Sequence, residues 1–107
     1  MQRQGEWFFV PPSEEEAERI AIQLVERPGA ERLRSPVGAG THPHVADRVL
    51  AIDRRVRTKH REYRRPETYA RGLVVHPDHR DVRLDGWRRV IRNAELRPTP
   101  ERIRWID

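Results

Sequence analysis

The sequence contains no cysteine. Disulfides, thiolate metal ligands and thiol nucleophiles are therefore excluded, and any metal must be held by His, Asp or Glu. Lysine is nearly absent as well: of the 22 basic residues only Lys59 is not arginine. So complete a bias follows from a GC-rich genome as readily as from function, so arginine preference alone carries no weight as a sign of phosphate binding. Aromatic residues make up only 7% of the chain. No stretch approaches the roughly 20 apolar residues of a membrane span, and the opening MQRQGEWFFV lacks the apolar run of a secretory leader. These absences lead to the expectation of a cytoplasmic protein without membrane contact.

What is present suffices for a fold. A chain of 107 residues has the length of one ordinary domain, and residues 1–107 are expected to form a single small globular unit. Charged residues reach 36% and hydrophobic residues also 36%, but the apolar residues fall in patterned runs, which argues against disorder. The net charge of +5 is unevenly placed. Segment 54–65, RRVRTKHREYRR, holds seven Lys/Arg and one Glu, while the rest of the chain has fifteen basic against sixteen acidic residues.

Trp7-Phe8-Phe9-Val10, closed by Pro11-Pro12, reads as a strand. Ser13-Glu14-Glu15-Glu16 has the form of a capping box, with carboxylates placed at the positive end of a helix dipole. Ala17, Ile20, Ala21, Leu24 and Val25 follow at helical spacing, and Pro28-Gly29 ends the pattern, which predicts a helix over 14–27. Glycines and prolines mark 28–41 as loop, with a short extended piece at 32–34. Residues 45–57 fit either a helix or a buried strand; strand is favoured because an extended segment follows. Tyr69–His76 is a strand with a bulge at Gly72, Pro77-Asp78 a turn, and 82–84 and 87–91 two further strands about an Asp85-Gly86 turn. Arg102–Ile106 alternates as a last strand. Trp7, Phe8, Trp87 and Trp105 read as core. The expected fold is α+β: one N-terminal helix packed on a small antiparallel sheet or partly closed barrel.

Two histidine pairs stand out, His42/His44 and His76/His79. On a strand, positions i and i+2 share a face, and a tight turn at Pro77-Asp78 brings the second pair together. Four His, or three with a carboxylate and water, suit zinc or another divalent metal, with Asp47, Asp78 and Glu95 as supplements. An open three-His site activates water for hydrolysis, with Asp78 or Glu95 as general base; a closed four-His site only holds the fold. Both pairs flank proline, so turn capping is the plain alternative. Metal-free acid–base cleavage of a phosphodiester, using the histidines with Tyr69 and Arg71, ranks lower.

Arg3-Gln4-Gly5-Glu6, Gly40-Thr41-His42-Pro43-His44, Tyr69-Ala70-Arg71-Gly72, His76-Pro77-Asp78-His79 and Trp87-Arg88-Arg89-Val90 with Asn93 and Glu95 come in an order that resembles a group of small uncharacterised bacterial and phage proteins. Those have an RQGD-type strand, a GHAH-type pair, an HEEH-type pair and a closing Y-R-V strand with a QREY-type tail. This chain differs in Thr41, in the proline inside each His pair and in the arginine-rich insertion between them. The resemblance implies no activity, only that the two His pairs belong to one site. The His42-x-His44 spacing is also weakly similar to the first metal motif of cupins, whose glycine-rich second motif is missing here.

The function expected is that of a metal-binding small protein, in its catalytic form a metal-dependent hydrolase, with ligands His42, His44, His76 and His79. The alternative is a nucleic-acid-binding module using Arg54, Arg55, Arg57, Lys59, Arg61, Arg64 and Arg65, where cations neutralise phosphates and Tyr63 or Tyr69 stacks on a base. A solvated loop is its plain counterpart. A third possibility is an accessory protein that binds a protein partner, with structural histidines.

Overall fold

The chain begins with a hairpin. In the computed structural model, which describes residues 1–38 and 42–92, β1 (Gln2–Gln4) and β2 (Trp7–Val10) pair across Gly5-Glu6. Gly5 has φ +59°, a left-handed value suited to the first central position of a two-residue hairpin. Helix α1 (Glu14–Glu26) follows with both arms of the capping box formed. The Ser13 hydroxyl accepts from the Glu16 N–H at 3.1 Å, and the Glu16 carboxylate accepts from the Ser13 N–H at 2.9 Å. A 3₁₀ turn at Pro28–Ala30 leads into β3 (Glu31–Pro36), β4 (Val45–Arg57), β5 (Glu62–His76) and β6 (His79–Arg92). The six strands make one open antiparallel sheet in the order β1-β2-β6-β5-β4-β3. The architecture is thus a sheet-dominated α+β fold, and the sheet does not close into a barrel. No helix among the described residues is long and apolar enough to cross a membrane.

The sheet is buried on both faces, because successive residues of one strand feed different cores. On one face Phe9, Val37, Ala46, Val49, Ala70, Val74, Leu84 and Val90 pack together. On the other, Leu50, Ile52 and Tyr69 pack beneath Ile20 of the helix, with Leu24, Ala30 and Trp87 alongside. Two-sided burial explains why 45–57 reads ambiguously: Val49, Leu50 and Ile52 are all buried, so the strand loses the clean alternation of a one-sided sheet.

A polar network sits on the helix side. Glu67, 3% exposed, accepts from the Tyr69 hydroxyl at 2.7 Å and from Arg19 at 3.1 Å, with Arg89 at 3.4 Å and Arg54 at 3.6 Å. Burial alone would raise the Glu67 pKa; the hydrogen bonds from Tyr69 and Arg19 and the charges of Arg19 and Arg89 outweigh it, and the pKa is lowered.

Several expectations change. The Asp85-Gly86 turn does not form, since β6 is continuous. Between Ala70↔Arg88 and Gly72↔Leu84, three β6 residues (Asp85, Gly86 and Trp87) oppose the single residue Arg71. The dipeptide is absorbed in a bulge whose counterpart is Gly72, at φ +87°. The extended piece at 32–34 is the middle of β3. The strand expected at 102–106, with Trp105, Asn93 and Glu95, lies outside the described residues.

Candidate metal centre

Three loops meet at one end of the sheet. The first is the β5–β6 turn. His76 and His79 flank its two central residues, Pro77 and Asp78, and pair directly across the ladder. Directly opposed residues of an antiparallel pair place their side chains side by side, and the two ring centroids lie 4.8 Å apart. The second is the segment entering β4. Its backbone is fixed where the His44 carbonyl accepts from the Val37 N–H at 2.9 Å, and the His44 ring lies 4.1 Å from that of His76 and 5.5 Å from that of His79. The third is the Gly5-Glu6 hairpin. A Cβ on Gly5 would come within 2.8 Å of His79 Nε2 and 3.2 Å of His44 Cε1, so only glycine lets this turn approach the rings.

His44, His76 and His79 each offer a ring nitrogen, and these nitrogens all lie within 4.8 Å of one another. Three nearby histidines of this kind can hold a metal ion. Zinc–nitrogen bonds of 2.0–2.1 Å at tetrahedral angles would put the donors about 3.4 Å apart, so binding requires the rings to draw inward. His44 is buried, His76 half-buried and His79 exposed, which leaves one side of the trio open.

The hydrogen bonds decide the tautomers. Gln4 is 2% exposed. Its amide nitrogen donates to the Val74 carbonyl at 3.0 Å and to the Arg80 carbonyl at 2.7 Å. Both amide hydrogens are spent, so the oxygen must face His44 Nδ1, 2.8 Å away. A carbonyl oxygen only accepts; His44 Nδ1 therefore carries the proton and Nε2 presents its lone pair. The His44 pKa is lowered by burial first and then by the neighbouring His76 and His79, against a smaller opposing effect of Glu6. The ring is held neutral, the form that binds metal. His76 is oriented similarly: Nε2 donates to the His42 carbonyl at 2.9 Å, and Nδ1 accepts from the Asp78 N–H at 3.1 Å. Nδ1 is then its donor atom toward a metal, at the cost of that turn contact.

A cavity of about 510 Å³ opens beside the trio, lined by the three rings together with Glu6, Trp7, His42 and Asp78. The Glu6 carboxylate is tethered by Arg92 Nε at 3.3 Å.

The four-histidine site expected from sequence is thereby narrowed. His42 is exposed and precedes β4, as does His44, so the alternation rule for strand residues does not apply to this pair. His42 contributes its backbone carbonyl to His76, and its ring is not part of the trio. Asp47 is directed elsewhere: its carboxylate accepts from the Leu73 N–H at 2.8 Å and lines a separate cavity with Arg48, Arg71 and Arg83. Tyr69 is 0% exposed and its hydroxyl is bound to Glu67 on the helix side, which removes it from any acid–base chemistry with the histidines. Gln4 and Glu6 went unassigned in the sequence, although both belong to the Arg3-Gln4-Gly5-Glu6 motif. The usable sign was a glycine between two polar residues at the head of an apolar strand, the mark of a hairpin that presents both.

The chain matches no protein-family model, no curated protein and no solved structure. Function must therefore be argued from the geometry.

Proposed function

We propose that the protein binds one divalent metal ion, zinc or a related borderline ion, through His44, His76 and His79, and that it acts as a metal-dependent hydrolase. The observation that carries this reading is the Gln4–His44 contact. A buried glutamine whose other valences are all filled holds one imidazole in the single tautomer that leaves Nε2 free. Outer partners of this kind orient metal-binding histidines. Three nitrogen ligands leave a fourth position toward the 510 Å³ cavity, as in catalytic rather than structural zinc sites. Water in that position becomes acidic near neutral pH, and Glu6, on the cavity wall, is the general base in this reading. The order of motifs shared with the small bacterial and phage proteins that the chain resembles is part of the same proposal.

The test is zinc binding to chelator-treated protein, followed by calorimetry. One zinc per chain is expected, with loss of binding in His44→Ala, His76→Ala and His79→Ala and retention in His42→Ala. A stoichiometry near zero in the unaltered protein overturns the reading. Glu6→Gln should keep the metal and lose zinc-dependent hydrolysis of p-nitrophenyl acetate; unchanged turnover removes Glu6 as the base.

A second reading, contact between the basic segment and nucleic acid, is favoured by one observation. Residues 54–65 are not a loose loop but the outer part of the β4–β5 hairpin, paired from Arg54↔Arg65 to Arg57↔Glu62.

A further inference from the structure

The β3 ladder on β4 ends at Leu50, and the β6 ladder on β5 ends at Tyr69. Beyond these points, among the described residues, β4 and β5 pair only with each other, from Ala51↔Thr68 to Arg57↔Glu62. The tip is closed by Thr58, whose N–H and hydroxyl both donate to the Arg61 carbonyl, at 2.7 and 3.0 Å. The result is a two-stranded ribbon with an ordered tip. Five ladder pairs, Asp53↔Pro66 to Arg57↔Glu62, give it a length of about 15 Å at the usual strand rise.

Its charge is arranged on both faces. Side chains of directly paired residues share a face, and faces alternate along the ribbon. Arg54 and Arg65 form one pair, and Arg55 and Arg64 the next, on the opposite face. Like charges placed directly opposite destabilise a sheet, so these two pairs oppose the folding of the arm. The acids present offset only part of this. Arg55 and Arg57 share Glu62, at 2.9 and 3.6 Å, and Arg54 reaches Glu67 at 3.6 Å. Arg64 lines a polar cavity with Glu26 and Asp53 without pairing to either. Lys59, Arg61, Arg64 and Arg65 have no ion pair among the described residues.

We propose that the β4–β5 arm is a docking element for duplex nucleic acid, entering the major groove as a two-stranded ribbon. The proposal rests on the second reading above and sharpens it. A groove about 12 Å wide admits a β-ribbon, and its two phosphate walls meet cations on both faces, which a flat anionic surface would not. Single-stranded ligands are disfavoured because they need aromatic platforms. The arm has one aromatic, Tyr63, half-buried, with the Arg61 guanidinium 4.7 Å above its ring. Nothing on the arm offers the apolar anchors of a protein interface, since apart from Val56 and Tyr63 every residue of 53–66 is exposed.

The test compares binding of the full chain to a mixed-sequence 20-base-pair DNA duplex, the corresponding single strand and poly-glutamate, at several salt concentrations. The duplex is expected to bind tightest. Four unpaired cations predict a log–log salt slope of about −3 to −4. The double variant Arg64→Glu/Arg65→Glu is expected to lose affinity about tenfold or more, and His76→Ala to leave it unchanged. Equal binding to the single strand overturns groove docking while keeping the nucleic-acid reading. Absence of binding to either nucleic acid overturns both, and equal binding to poly-glutamate shows a generic polyanion surface and overturns the proposal. Circular dichroism of the double variant separates loss of contact from loss of fold.

Discussion

Gln4 Oε1 lies 2.8 Å from His44 Nδ1, and the other side of that amide is anchored on Val74 and Arg80. One side chain from β1 therefore ties together the entry to β4 and the β5–β6 hairpin. It also sets which nitrogen of His44 is available.

Replacing Gln4 by Ala should lower zinc affinity about 10–100-fold, the usual effect of losing an outer partner of a metal-binding histidine. It should also cost about 1–3 kcal/mol of stability, because buried polar groups lose their partners. Chelator competition measures the first and urea unfolding the second. An unchanged zinc affinity would detach Gln4 from the site and leave it a structural role only.

Gly5→Ala is expected to act on both the turn and the site. The φ of +59° costs an L-residue about 1–2 kcal/mol, and the added methyl would meet His79 Nε2 at 2.8 Å. Combining it with His79→Ala removes the second effect and leaves the first. Urea unfolding of the two single variants and the double variant checks this, and strict additivity of their stability losses would show that the turn does not press on the ring.

Much of this arrangement is legible in the sequence, and the part that is not has identifiable causes. Ser13 and Glu16 announce the helix because capping is local chemistry. His76 and His79 come together as expected because a two-residue turn forces direct pairing. The placement of His44 depends on contacts with Gln4, forty positions earlier in the chain, which no local pattern encodes. His42 was misplaced for a related reason: the i, i+2 rule presumes a strand, and the strand begins only at Val45. The arm was visible as charge but not as shape, since Arg54↔Arg65 and Arg55↔Arg64 oppose the pairing that creates it.

Glu67 makes stability sensitive to acid. Its folded pKa lies below the ordinary 4.5, so its contribution is fully present above that value and is lost as pH falls through the folded pKa. Unfolding curves should show stability declining below about pH 4.5. Glu67→Gln should flatten that part of the decline and cost about 3 kcal/mol at neutral pH, because Arg19 and Arg89 lose a buried partner. An identical acid profile in the variant would place the pH dependence elsewhere.

Arg65→Glu tests whether the arm carries an internal electrostatic cost. The substitution turns the Arg54↔Arg65 pair from repulsive to attractive, and a directly opposed pair is worth roughly 0.2–1 kcal/mol. Arg64→Glu, opposite Arg55, should gain less, because Arg55 already has Glu62 at 2.9 Å. Both gains should be largest at low ionic strength and fade toward 1 M salt, where charges are screened beyond about 3 Å. Urea unfolding at the two salt concentrations measures this. A stabilised Arg65→Glu protein that binds duplex DNA less well would mean that the arm gives up stability to keep its charge for a ligand. A destabilised one would mean that Arg65 is held by contacts of its own, and the like-charge argument for the arm would fail.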